Sequence, residues 1–244
     1  MSALLVDRHL GTARAGDLAV TLQVRDDAHP AVVSAAWDAV HDELDRIEHA
    51  FSTARPDSAV SQLRAGATLL VDDGVATVID RCLEAWSLTG GAFDPWAVEG
   101  GFDPRGLLHG WTAEVCAEIL HRHGLRRCAV DVAGDVVCRG ETWRIGVPHP
   151  DDAGRVAAHV EVHDGAVATS TDENVIDPAT GLRARGARQA TVIGPDPVLA
   201  DALATALVVA GVEGARWFAH LPEWSACVVE RDEIVWWGGA VLLP

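Results

Sequence analysis

The chain has 244 residues, 49% hydrophobic and 23% charged, a composition that suits one large or two small globular domains with a sizeable core. Its formal net charge of -17 argues against nucleic acid or an acidic membrane surface as a partner, since both need a basic patch. All 19 basic residues are arginine, which excludes mechanisms that need a Schiff-base or phosphate-loop lysine.

The N-terminal stretch MSALLVDRHLGTARAG has neither a charged n-region nor a long apolar run, and reads as mature protein rather than a signal peptide. The first third reads as mostly helical. Val32, Ala36, Val40, Leu44 and Ile47 recur at spacings of three and four, which predicts an amphipathic helix over Ala31 to Phe51. A second helix, about Gly74 to Leu88, is expected to end at Gly90-Gly91. A third follows from about Leu107 to His123. Between them lies GAFDPWAVEGGFDPRGLLHG, with two Phe-Asp-Pro copies at 93–95 and 102–104.

Beyond Gly124 the pattern changes to short runs of β-formers: Cys128–Val132, Val136–Cys138, Trp143–Val147, Ala158–Val162, Gln189–Ile193, Ala226–Val229 and Ile234–Trp237. One helix interrupts them, about Pro197 to Ala210, with Asp196 as N-cap and Pro197 at its first position. Grouped strands predict an α+β fold with largely antiparallel sheets and packed helices, in one continuous domain over residues 1–244. No run reaches the roughly 18 apolar residues of a membrane helix, so a cytoplasmic protein without membrane insertion is expected. The five scattered cysteines form no C-x-x-C pair and indicate neither a zinc site nor a disulfide framework.

The helix PVLADALATALVVA carries two polar side chains, Asp201 and Thr205, four residues apart and so on one face. An unpaired buried carboxylate is costly, and no arginine lies within a turn of Asp201. A hard metal held by Asp201 and the Thr205 hydroxyl is one reading, and a structural pair reaching a strand backbone is the other. The segment AVATSTDENVIDPATG ends in a second carboxylate-proline turn at Asp177-Pro178, which by itself reads as an ordinary turn. His121 and His123 are spaced wrongly for one helical face, and the nine tryptophans read as packing residues. Of these, Trp96 and Trp111 flank the Phe-Asp-Pro region.

Taken in order, Phe-Asp-Pro with a glycine turn, Ala-Thr-Ser leading to Ile-Asp-Pro-x-Thr-Gly, and Ala-Asp-Ala-Leu-Ala-Thr-Ala-Leu resemble the FAD:protein FMN transferases, the ApbE-like family. The likeness runs nearly end to end, with Phe51-Ser52-Thr53 and Arg55-Pro56-Asp57-Ser58 early and Gly134-Asp135 and Trp143 to Gly146 in the centre. It implies an ApbE-like, T-fold-like architecture. The implied enzyme cleaves FAD with Mg2+, releases AMP and attaches FMN to a threonine of an acceptor protein. The resemblance gives Asp201, Thr205 and the Gly106 carbonyl as metal ligands. It gives Leu10, Ala92, Phe93, Asp94, Asp103, His109 and Val175 as contacts to the flavin nucleotide, and His109 and Asp201 as catalytic candidates.

Three departures stand out. His109-Gly110 replaces the family's Lys-Gly, and Asp131-Val132-Ala133-Gly134-Asp135 replaces Asn-x-Gly-Gly-Asp. Asn174 stands where the family has the histidine of His-x-Ile-Asp-Pro, and an asparagine cannot take a proton from a threonine nucleophile. His109 is expected to face the cofactor or its phosphates. The departures keep two alternatives open, a flavin-binding paralogue impaired in transfer and an FAD pyrophosphatase giving FMN and AMP.

Overall fold

The computed structural model describes residues 9–16, 18–67, 72–230, 233–239 and 242–243. The first eight residues of the N-terminal stretch expected to be mature protein lie outside them. Ahead of the first expected helix the described residues form a hairpin that was not expected, β1 (His9–Ala15) and β2 (Leu18–Val24). Its signal was in the sequence: Leu18, Val20, Leu22 and Val24 alternate with polar or small residues and are all buried. Two helices follow, α1 (Pro30–Phe51) and the short α2 (Ala59–Arg64), then α3 (Asp73–Thr89) and α4 (Arg105–Arg122). The buried stripe of α1 is Ala36, Val40, Leu44, Ile47 and Phe51. Val32, in its first turn, points away from the core.

The remaining strands are β3 (Cys128–Val132), β4 (Asp135–His149), β5 (Asp152–Thr171), β6 (Gln189–Gly194), β7 (Ser225–Glu230), β8 (Glu233–Trp237) and β9 (Leu242–Leu243). They form one antiparallel sheet in the order β1 to β8, with β9 on β5. Runs that read as separate strands at 136–138 and 143–147 are one long β4, because register shifts between Cys138 and Thr142 carry the strand through Gly140 without ending it. Ala166 to Thr171, unassigned from sequence, extends β5 and pairs with β6.

The sheet has two unlike faces. Val20, Leu22, Val130, Val132, Val137, Ala168, Ala190 and Val192 join the helices in the main core. Ala129, Cys138, Trp143, Val160, Val167 and Ile193 form a smaller cluster on the other face. All five cysteines are free and buried.

Helix α5 (Pro197–Ala210) runs through the main core, and Asp196 caps it by accepting from the Val198 and Leu199 N–H groups. With the 3-10 run that follows, it makes a 24-residue helical segment, Pro197–His220, long and apolar enough to pass for a membrane span. This corrects the sequence expectation of no such segment. The apolar character has another use here, since ten of the fourteen residues of α5 are buried between α4 and the sheet.

Helices α4 and α5 meet through glycine. A Cβ on Gly106 would sit 3.0 Å from the Phe93 ring and 3.2 Å from Thr205 Cγ2. One on Gly110 would overlap the Pro197 carbonyl and stand 3.0 Å from Asp201 Cβ. Glycines four apart on α4 thus face Thr205 and Asp201, four apart on α5. Gly110→Ala is expected to destabilise the fold by about 1–3 kcal/mol through this overlap. Denaturant melts check it, and a loss below about 0.5 kcal/mol would mean that the seam is looser than described.

Candidate active site on the seam between α4 and α5

The seam gathers polar groups that the sequence scatters. Asp201 is only 3% exposed, and its Oδ2 accepts from the Gly110 N–H at 3.0 Å. One turn along α5, the Thr205 hydroxyl donates to the Gly106 carbonyl at 3.2 Å. Ser170 Oγ lies 3.1 Å from Thr205 Oγ1, and since the Thr205 proton points to Gly106, Ser170 is the donor there. The three metal candidates taken from the resemblance, Gly106, Asp201 and Thr205, therefore do come together.

A second carboxylate stands beside them. Residues Ala133 and Gly134 form a two-residue hairpin loop with φ of 54° and 100°, and Val132 pairs with Asp135 directly across it. The tight turn launches Asp135 as the first residue of β4, on the helix-facing side of the sheet. It is 5% exposed, its Oδ1 accepts from Thr169 N–H at 3.0 Å, and its carboxyl stands beside that of Asp201. His109 Nδ1 lies 4.0 Å from Asp135 Oδ2. One ligand atom each from His109, Asp135 and Asp201 fall within 4.8 Å of one another. Sequence reading passed over Asp135 because Ala-Gly-Asp reads as turn punctuation. Ser170 was quoted in a motif but given no role.

The electrostatics of the pair follow from burial. Burial pushes the Asp135 carboxyl well above the usual range, and the neighbouring Asp201 charge raises it further. Asp201 is raised too, again mainly by burial, and the His109 imidazole and the Gly110 N–H partly offset the effect. Among the described residues neither carboxylate is paired with an arginine. Two buried carboxyl groups with only the His109 imidazole beside them share a proton or take up a cation. The carboxylate, hydroxyl and carbonyl oxygens of Asp201, Thr205 and Gly106 suit a small hard cation such as Mg2+.

The two Phe-Asp-Pro copies frame the seam and are bonded to each other, since Asp103 N–H donates to the Pro95 carbonyl at 2.7 Å. Phe93 is buried against Gly106, while Asp94 accepts from Trp96 N–H at 2.8 Å and from the Trp86 indole at 3.3 Å. Ala92 is half-buried beside it. Burial would raise the Asp103 carboxyl, but the Arg105 guanidinium, at 2.7 Å, and Arg64, at 3.3 Å, hold it below the usual range. Asp103 therefore fixes the entry to α4, a task not evident from its sequence position.

Other candidates lie further out. Val175 is half-buried and its carbonyl accepts from Ala184 N–H. Asn174 is exposed. Asp177 closes its own turn, accepting from Ala179 N–H and the Thr180 hydroxyl. Leu10 is 68% exposed, and its pairing with Gln23, and Gln23's with Ala129, puts it on the sheet face away from the helices. Trp111 packs edge-on against Phe51, whereas Trp96 stays half-exposed over Phe102. A cavity of about 770 Å³ also lies on the outer face, lined by Gln23, Arg25, Trp143 and Gln189, and Asp201, Thr205 and His109 take no part in it. The donor chemistry, not the cavity size, marks the seam as the site.

One antiparallel sheet packed against helices is also the architecture of solved flavin transferases. The structure superposes on flavin transferase ApbE from Vibrio cholerae with a TM-score of 0.82 at 20% identity, covering 94% of this chain and 96% of that one. ApbE from Thermotoga maritima gives 0.81 at 22% identity, covering 93% and 96%. In sequence, the ApbE family profile matches residues 17–100 and 97–228, and the chain belongs to that family. It is 31% identical to the FAD:protein FMN transferase of Vibrio cholerae serotype O1 over 44% of its own length, and that match spans 38% of the relative. The FAD:protein FMN transferase of Treponema pallidum is 24% identical over 75% of this chain and 73% of that protein.

The Asp135–Asp201 pair has a measurable signature. Unfolded aspartates titrate near 3.8, and both folded groups titrate higher. The pair's contribution to stability is therefore fully present below pH 3.8 and is lost as pH rises through the folded values. In EDTA, Asp135→Asn is expected to be more stable than the parent at pH 7–8 by about 1 kcal/mol or more, the worth of one pKa unit. The gap should close near pH 4. Melting curves that stay parallel from pH 4 to 8 would contradict it.

Proposed function

We propose that the chain is a Mg2+-dependent flavin transferase that cleaves FAD between its phosphates, releases AMP and joins FMN through a phosphoester to a threonine of an acceptor protein. The observation that supports this reading best is the seam, where the Gly106 carbonyl, Asp201 and Thr205 meet with, among the described residues, no arginine to neutralise the carboxylates. These three groups would hold the ion. When bound, Mg2+ supplies the charge neutralisation that a pyrophosphate needs in a chain of net charge -17.

The chain's own residues do the positioning. Ser170 and Gly106 fix the Thr205 rotamer, and the Gly110 N–H fixes that of Asp201. The linked Phe-Asp-Pro turns hold Ala92, Phe93, Asp94 and Asp103 beside the start of α4, whose N-terminal end favours phosphate. In the transfer, the threonine oxygen bonds to the FMN phosphorus as the P–O bond to AMP breaks. AMP leaves with the bonding electrons. The threonine proton passes to solvent, because Asn174 has no basic atom to receive it.

Incubation with FAD, Mg2+ and a threonine-bearing acceptor tests the reading. AMP should appear in step with an FMN-sized mass gain on the acceptor. Equal AMP release without acceptor would make the protein a pyrophosphatase, and FAD retained uncleaved would make it a flavin binder. Asn174→His is expected to raise the single-turnover rate by about 100-fold, the lower end of the range of general-base catalysis. An unchanged rate would mean that proton removal does not limit transfer.

A further inference from the structure

His109 lies four residues before α4 passes its midpoint, on the turn that also carries Gly106 and Gly110, and its ring faces the two buried carboxylates. Its Nδ1 is 4.0 Å from Asp135 Oδ2, and with Asp201 the three donor atoms span no more than 4.8 Å. Two donors on opposite sides of an ion with bonds of about 2.1 Å stand about 4.2 Å apart. The His109–Asp135 separation matches such an opposed pair, and ligands at right angles stand about 3 Å apart, so seating all three donors on a single ion takes side-chain shifts of about 1–2 Å. A half-exposed histidine side chain, 36% accessible, can make that adjustment. The carboxylates have no such freedom, because Thr169 N–H holds Asp135 and Gly110 N–H holds Asp201.

We infer that the metal site of this chain includes a nitrogen ligand, His109 Nδ1, with Asp135 and Asp201, and so accepts a first-row transition ion such as Mn2+ as well as Mg2+ and holds it more tightly. The inference rests on the proposed metal at Asp201. It goes beyond that reading in the donor set and the choice of ion. Oxygen donors alone suit Mg2+, whereas an imidazole favours ions further along the transition series and is a poor partner for Mg2+. Asp135 contributes the charge of a second carboxylate, and Thr169 N–H leaves its Oδ2 turned toward the imidazole.

The test uses the full chain, without FAD, and Mn2+ as the probe. Pulsed electron spin-echo spectroscopy of bound Mn2+ should show modulation from a directly coordinated 14N. His109→Gln should abolish that modulation and weaken Mn2+ binding about tenfold or more, while Mg2+ binding changes less than threefold. Thermal melts in EDTA establish that the variant folds. Asp201→Asn separates the two claims. If it abolishes Mn2+ binding but the parent shows no 14N signal, the site at Asp201 stands and the nitrogen ligand is wrong. If Mn2+ binding survives Asp201→Asn unchanged, or the parent binds no Mn2+, both are wrong.

Discussion

The contact on which the site depends is the approach of α4 to α5 at two glycines. Any side chain at Gly110 would collide with the Pro197 carbonyl, and one at Gly106 would press on Phe93 and Thr205. Because those positions are glycine, backbone groups of α4 come within hydrogen-bond reach of side chains on α5. The Gly110 N–H can then stabilise a buried carboxylate, and the Gly106 carbonyl can join a hydroxyl. A polar cluster is thus built from two helix backbones and an otherwise apolar helix, with the sheet closing it from below through Asp135 and Ser170.

Under the proposed reading, this arrangement is how an acidic chain would serve an anionic ligand. Its arginines near the seam are engaged elsewhere: Arg64 and Arg105 with Asp103, Arg81 with Asp196, and Arg139 with Glu114. They fix loops and helix ends and leave the carboxylates unneutralised. The buried pair then costs stability until a proton or a cation joins it, so an ion-binding function and a folding penalty come from the same two residues.

Much of this was legible in the sequence, and what was hidden has physical reasons. Helix α5 declared itself through its cap, its proline and its two polar residues at a spacing of four. The family motifs carried Gly106, Asp201 and Thr205 to one place, as the structure does. Asp135 was hidden because its role depends on the sheet face it reaches after a two-residue turn, and a one-residue change of register would send it to the other face. The hairpin β1–β2 was missed because its alternation is short and precedes a strong helical stripe. Asp103 shows the converse: its position suggested a ligand contact, and the structure adds a structural task through Arg64 and Arg105.

The central claim is that an ion held on this seam joins the protein to the FAD pyrophosphate. Calorimetric titration of FAD into the protein, in Mg2+ and in EDTA, tests it most directly. The account expects at least tenfold tighter binding with Mg2+, equal to about 1.4 kcal/mol, and the loss of that gain in Asp201→Asn. Equal affinity in the two buffers, or a gain that survives Asp201→Asn, would contradict it.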